Sequence, residues 1–95
     1  MSLESIYGIR AIRDVAREII REKGFRPRRV RRGFSLPRTK YLFSYYDETG
    51  FLIDLSYDRD SDTIIGTHNI RGQGIMQNTM MEHDTLLSRL AYDVL

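Results

Sequence analysis

A run of basic residues is the feature of this 95-residue sequence with the clearest chemical meaning. Residues 23–40 carry eight lysines and arginines and no acid, whereas residues 41–95 carry three arginines and nine acids, so the net charge of +2 conceals a strong local field. A polyanion relieves the mutual repulsion of such a cluster, and guanidinium groups suit phosphates. The run therefore predicts a surface for nucleic acid, either RNA or DNA. Its candidate phosphate contacts are Arg26, Arg28, Arg29, Arg31, Arg32, Arg38 and Lys40.

A second row of arginines belongs to the predicted first helix. Arg13 and Arg17 stand one helical turn apart beside the apolar stripe of that helix, and they complete the candidate phosphate contacts. Two other partners suit these cations: an acidic protein, or the acids of the chain itself. Those acids are Asp47, Asp54, Asp58, Asp60, Asp62 and Asp84. Only Tyr46 of the tyrosines is expected on the solvent side beside the basic run, so phosphate contacts and not base stacking are expected to carry binding.

Residue sets for catalysis are missing from the sequence. No cysteine occurs, which excludes disulfides, thiolate metal ligands and cysteine nucleophiles. His68 and His83 are the two imidazoles, and the spacing supplies no third group for a metal site or a catalytic triad. We therefore expect a protein without enzymatic activity and without a cofactor. A nuclease that uses His68 or His83 is the remaining enzymatic hypothesis.

Three acids alternate in a short segment as the first ligands of an EF-hand calcium loop do. They are Asp58, Asp60 and Asp62. Such a loop needs glycine at its sixth position and glutamate at its twelfth, where this sequence has Thr63 and Asn69. We therefore expect an acidic hairpin turn here and no metal.

The short length of the chain leaves a role in protein association open. We expect one domain over residues 1–95, and a domain of this size has a modest core that dimerisation or a partner supports. Met76, Met80 and Met81 add an apolar surplus near the C-terminus, and methionine adapts to irregular surfaces. The alternative function is therefore a protein-interaction module, or a small inhibitor or adaptor, that acts as a homodimer or larger homo-oligomer.

The hydropathy pattern and the cysteine content bear on the compartment. No apolar run is long enough to span a bilayer, and no signal-peptide core follows Met1, so we expect no membrane contact. A chain without cysteine fits the reducing cytoplasm. We therefore expect a cytoplasmic protein.

The first long helix is marked by an apolar stripe and by a stop signal. Gly24 stands where a left-handed residue ends a helix, and Phe25 follows in position to contact Ile20. Gly8 weakens any helix that runs through it, so residues 3–7 form either a separate first turn or a contact with another chain. The stripe consists of Ile9, Ile12, Val15, Ala16, Ile19 and Ile20.

Period-two alternation replaces the helical pattern from residue 28. Residues 28–36 alternate loosely, and residues 41–46 and 51–57 are rich in aromatic and β-branched residues. Residues 47–50 between them predict a type I turn with Gly50 left-handed. This turn pairs Tyr45 with Ile53, Phe43 with Leu55 and Tyr41 with Tyr57. The core face then carries these six residues and Phe51, and the solvent face carries Leu42, Ser44, Tyr46, Leu52, Asp54 and Ser56.

The remaining chain predicts a further strand and a second long helix. Residues 63–70 form the third or fourth strand, and the glycines of residues 72–74 break the chain. From Ile75 onward the residues favour helix, with Asp84 or Thr85 as N-cap, and the placement of the three methionines in this helix or in a turn before it stays open. The expected fold class is α+β: an N-terminal helix, a three- or four-stranded antiparallel sheet and a C-terminal helix, with the helices on one face.

Two resemblances follow from this layout. The order of helix, strands and helix resembles the double-stranded-RNA-binding fold, and the stretch from Gly24-Phe25 to Arg32-Gly33 is similar to the opening of the HicA family of small RNA-cleaving toxins. The resemblance implies this topology and a connection with RNA. In the HicA pattern the catalytic histidine comes just after the glycine that corresponds to Gly33, where this sequence has residues 34–36. In the RNA-binding fold a lysine-rich turn opens the last helix, where this sequence has residues 75–78. Neither activity therefore carries over.

Overall fold

Two helices, a four-stranded sheet and a third helix make up the computed structural model of the chain, which describes residues 1–30, 36–70 and 74–94. The strands are antiparallel and lie in the order β1-β2-β3-β4. This arrangement confirms the predicted α+β class. The elements are α1 (Leu3–Tyr7), α2 (Ile9–Glu22), β1 (Thr39–Tyr46), β2 (Leu52–Asp58), β3 (Thr63–Ile70), β4 (Gly74–Met81) and α3 (His83–Val94).

Glycines separate the helices from their neighbours as the sequence predicts. Gly8 has a φ of 88° and divides α1 from α2, which confirms a separate first turn. At the end of α2, Gly24 has a φ of 90° and donates its N–H to the Arg21 carbonyl at 2.9 Å. The Phe25 N–H donates to the Ile20 carbonyl at 3.1 Å, which completes the predicted Schellman motif.

The β1–β2 hairpin follows the predicted register near its turn and departs from it further along. Tyr45 lies opposite Ile53 and Phe43 opposite Leu55, and Gly50 has a φ of 85° in the turn. A bulge between Tyr41 and Phe43 shifts the pairing beyond that point.

The bulge corrects the predicted faces of the hairpin. Tyr41 pairs with Ser56 and not with Tyr57, because one extra residue on β1 turns the preceding side chain to the opposite face. Leu42, expected in solvent, is therefore buried in the core. Phe51, expected in the core, precedes β2 and is 52% exposed.

The last strand corrects the prediction of a helix from Ile75 onward. Residues of β4 pair with β3 along its whole length, and this pairing outweighs the helical preference of the methionines. The helix α3 begins at His83, and the Leu86 N–H donates to the Glu82 carbonyl at 3.1 Å, so its N-cap is Glu82 and not Asp84 or Thr85. Strand β3 occupies the predicted residues 63–70.

A single hydrophobic cluster joins side chains from the helices and from all four strands. The helices cover one face of the sheet, and buried polar residues, including Ser44, Ser56 and Thr67, lie on the other. None of the described helices has the length and hydrophobicity needed to cross a bilayer.

The Asp62 carboxylate ties the start of the chain to the β2–β3 turn. It accepts the Leu3 N–H at 3.1 Å and the hydroxyl proton of Tyr57, a residue with no exposed surface. Burial and this hydrogen bond raise the pKa of Tyr57 to about 12.

Candidate nucleic-acid interface

The segment that follows α2 lies along the outer edge of β1. The Schellman motif reverses the chain after α2, and Arg28 then forms an isolated antiparallel bridge with Ser44. The Arg28 N–H donates to the Ser44 carbonyl at 2.6 Å, and the Ser44 N–H donates to the Arg28 carbonyl at 2.7 Å. The sequence predicts strand-like alternation over residues 28–36. Among those of these residues that the structure describes, the Arg28–Ser44 bridge is the strand-like pairing.

Side chains beneath the segment fix it to the sheet. The Tyr41 hydroxyl accepts the Val30 N–H at 3.3 Å and lies 2.6 Å from the Ser44 hydroxyl. The Ser44 hydroxyl in turn donates to the Asp54 carboxylate at 2.5 Å. Because Ser44 is fully buried, this chain of polar groups anchors the backbone while the arginine side chains point to solvent.

Three arginines of the segment are exposed along this edge. The Arg28 guanidinium lies 5.4 Å from the ring centroid of Tyr46, which is itself 47% exposed, as a cation–π pair. Arg26 and Arg29 are exposed beside it. Within the described part of the chain, no carboxylate lies within ion-pair distance of these three guanidinium groups.

The helix α2 carries two further cations, and one of them lies against β1 on the helix side of the sheet. The Arg17 guanidinium lies 5.8 Å from the ring centroid of Phe43 on β1 and 3.8 Å from the Asp14 carboxylate. Arg13 is half-buried, and its Nε has no hydrogen-bond partner among the described residues. We call the five residues Arg13, Arg17, Arg26, Arg28 and Arg29 the basic edge.

Two predicted contacts lie apart from the basic edge, at the far end of β1. Arg38 has a φ of 62° and forms an ion pair with Asp60 at 2.8 Å, so one of the chain's own acids already neutralises it. Lys40 is exposed near Glu4. Arg31 and Arg32 lie outside the described residues.

Two further arginines, Arg59 and Arg89, hold elements of the fold together through carboxylate partners. Arg59 binds Glu4 with two hydrogen bonds of 2.9 and 3.2 Å, and this contact lowers the pKa of Glu4. Arg89 joins α3 to α2 through Glu22 and through Glu18, which lies at 3.2 Å. The hydrogen bond from Arg89 lowers the pKa of Glu22. These pairs and the Arg17–Asp14 contact show that several arginines are neutralised within the chain, whereas Arg26, Arg28 and Arg29 have no carboxylate partner among the described residues.

The two histidines are not brought together. His83 lies at the start of α3, with Nε2 3.3 Å from Asp62 and Nδ1 3.4 Å from Asp84. His68 lies on β3 with its ring centroid 5.9 Å from that of Phe51. The described residues contain no group of three or more His, Cys, Asp or Glu side chains placed to hold a metal ion.

A cleft of about 340 Å³ lies on the helix side of the sheet beyond the end of α2. Its lining includes Phe25, whose ring centroid is 5.1 Å from that of Tyr45, and the polar residues Lys23, Asp47 and His68. Sequence reasoning missed this cleft because its residues come from all four strands, from the β1–β2 turn and from the segment after α2, and they share no periodic pattern. The Gly24-Phe25 stop signal is the part of it that a sequence displays.

Known proteins give no match for this chain, whether it is compared with protein-family models, with curated proteins or with solved structures.

Proposed function

We propose that this protein binds nucleic acid, RNA in preference to DNA, by placing the basic edge against backbone phosphates, and that it catalyses no reaction. The observation that carries this proposal is the row of exposed cations on one sheet edge: Arg26, Arg28 and Arg29 have no carboxylate partner in the described chain. Phosphate oxygens can supply the charged hydrogen-bond acceptors that these guanidinium groups do not find within the described chain. The preference for RNA rests on the topological resemblance, and the cytoplasm is the compartment that we propose.

Geometry also supports phosphate contact over internal use of these cations. The backbone of Arg28 is fixed by two short hydrogen bonds to Ser44, so the point from which its side chain extends is set before a ligand arrives. The stack on Tyr46 further restricts the guanidinium, which lowers the entropy lost on binding. The exposed Tyr46 ring offers one stacking surface for an unpaired base beside the phosphates.

A titration at two salt concentrations tests the proposal. We expect fluorescence-labelled duplex RNA, single-stranded RNA or duplex DNA to bind at about 50 mM salt, and the affinity to fall steeply by about 200 mM, because bound counterions are released. The double variant Arg28→Gln/Arg29→Gln should bind at least about tenfold more weakly and lower the log–log salt slope by about two. Charge reversal at Arg28, Arg29, Arg31 and Arg32 together should abolish binding.

A matched control removes the same charge elsewhere. The double variant Arg59→Gln/Arg89→Gln also loses two positive charges, but both arginines hold acids of the scaffold. We expect it to retain the salt slope of the unaltered protein. Equal losses in both double variants would show a response to total charge and would contradict a defined site. Absence of binding at low salt would instead favour an acidic protein as the partner of the basic edge.

A further inference from the structure

In the part of the chain that the structure describes, the outer edge of β4 is open and carries no charge. Within the described chain β4 pairs with β3 alone, and its sequence Gly-Ile-Met-Gln-Asn-Thr-Met-Met has neither a charged residue nor a proline. The first six of these residues are exposed, and Ile75 and Met76 are each 45% exposed. Edge strands are normally protected by lysine, proline or a covering segment, because their unpaired N–H and C=O groups accept another strand. The outer edge of β1, in contrast, is bridged by Arg28.

The flank of α3 on the same side of the molecule exposes a large apolar side chain. Arg89 faces α2 through Glu18 and Glu22, and two residues correspond to about 200° of helical rotation, so Leu87 lies on the flank away from α2. Leu87 is 38% exposed. Since α2 lies over β1 and α3 contacts β3, this flank is on the β4 side of the sheet.

We propose that a second copy of this chain pairs its β4 with this β4 in antiparallel orientation, forming one eight-stranded sheet in the dimer. A two-fold axis perpendicular to the sheet places the helices of both copies on the same face, with the two Leu87 flanks turned toward each other. An uncharged strand is complementary to itself, because no like charges meet across the axis. This strand has no positively charged side chain, so it does not attract the phosphates or acidic proteins that could bind the basic edge.

Symmetry also restricts which residues meet at the axis. Hydrogen-bonded and non-hydrogen-bonded pairs alternate along an antiparallel ladder, so in a symmetric pair of identical strands one residue must lie opposite its own copy. For full overlap of residues 74–81 this residue is close to Gln77. In the registers centred on residue 76, 77 or 78, two copies of residue 77 lie either directly opposite or diagonally adjacent, at about 5 to 8 Å.

Sedimentation velocity between about 2 and about 200 µM tests the proposal, since interfaces of modest size associate in this range. We expect the unaltered protein to become dimeric as its concentration rises. Gln77→Lys and Gln77→Asp should each be monomeric throughout, because like charges meet at the axis, and an equimolar mixture of the two should recover the dimer. The controls Thr49→Lys and Thr49→Asp change an exposed residue of the β1–β2 turn and should leave dimerisation unaltered.

Single cysteines provide a second readout, because the chain has none of its own. Among Met76→Cys, Gln77→Cys and Asn78→Cys, the variant at the axis should oxidise to a covalent dimer, since opposing Cα atoms at about 4.5 to 5.5 Å are within disulfide range. Thr49→Cys should not. A protein that stays monomeric to about 200 µM, or a dimer that both Gln77 variants leave intact, would overturn the proposal.

Discussion

Among single residues, Tyr57 couples the stability of the fold to alkaline pH. Its pKa is raised by burial and by the hydrogen bond to Asp62 to about 12, whereas an unfolded tyrosine ionises near 10. The folded state therefore holds the proton more tightly, and the stabilisation is complete below about pH 10 and is lost as pH rises from about 10 to about 12. We expect Tyr57→Phe to lower the free energy of unfolding by about 2 kcal/mol at pH 8, as for a hydrogen bond to a charged acceptor.

The gap between the two proteins should then close above pH 10, because phenylalanine has no proton to lose. Urea unfolding at pH 8, 10 and 11.5 measures both curves. Curves that remain parallel over this range would contradict a raised pKa for Tyr57.

Gly66 is a second residue whose environment makes a quantitative prediction. A Cβ atom at this position would lie 2.6 Å from Cγ of Met80 and 3.2 Å from Cγ2 of Ile53. Met80 is flexible and half-buried, so Gly66→Ala should lower the free energy of unfolding by about 1 to 2 kcal/mol through displacement of that side chain. In the double variant Gly66→Ala/Met80→Ala the two effects should not add, and urea unfolding of the four proteins gives the coupling. Strict additivity would show that Met80 is not the obstacle.

At the level of elements, the end of α2 determines where the chain turns toward β1 and so where Arg26, Arg28 and Arg29 of the basic edge lie. Gly24 has a φ of 90° and empty space around its missing Cβ, so conformation alone penalises a side chain there. Gly24→Ala should therefore lower the free energy of unfolding by about 1 kcal/mol, measured by urea unfolding. The neighbouring Lys23 has a right-handed helical conformation, and Lys23→Ala should remain within about 0.5 kcal/mol of the unaltered protein. Equal effects at both positions would contradict the conformational explanation.

The elements that could be predicted from the sequence are those with local signals. The stripe and stop signal of α2 and the Gly50 turn act within a few residues, so the helix end and the nearby pairs Tyr45–Ile53 and Phe43–Leu55 follow from them. The bulge after Tyr41 and the strand β4 depend on pairing with distant segments, and local propensity does not contain that information.

The candidate site likewise has a part that the sequence predicts and a part that only the fold determines. A concentration of cations in the chain is evident from residue types, but the partner of each cation depends on the fold. Arg38 meets Asp60 because two turns lie side by side at one end of the hairpin, with the Arg59 N–H donating to the Arg38 carbonyl at 3.0 Å. Arg28 instead meets the Tyr46 ring because its backbone is bridged to Ser44 two residues earlier on the strand.

For the whole molecule, the two proposals together make a prediction about ligand length. In a dimer joined through β4, the two β1 strands are the outermost of eight, and seven spacings of about 4.8 Å separate them by about 34 Å. Each end then carries one basic edge. A nucleic acid that reaches both edges gains a second contact that is effectively intramolecular, so its affinity rises without any new type of interaction.

The cysteine variant at the axis tests this prediction, because its oxidised covalent dimer and its reduced form have the same sequence and the same charge per chain. At nanomolar protein the reduced form is monomeric, and the oxidised form keeps two basic edges. With rise of about 3.4 Å per nucleotide step, about 10 steps span the distance between the edges. We expect a ligand of about 40 nucleotides or base pairs to bind the oxidised form at least about tenfold more tightly than the reduced form, and one of about 8 to bind both equally per site. Equal affinities for the long ligand would show that the two edges do not act on one nucleic acid, even if each edge binds alone.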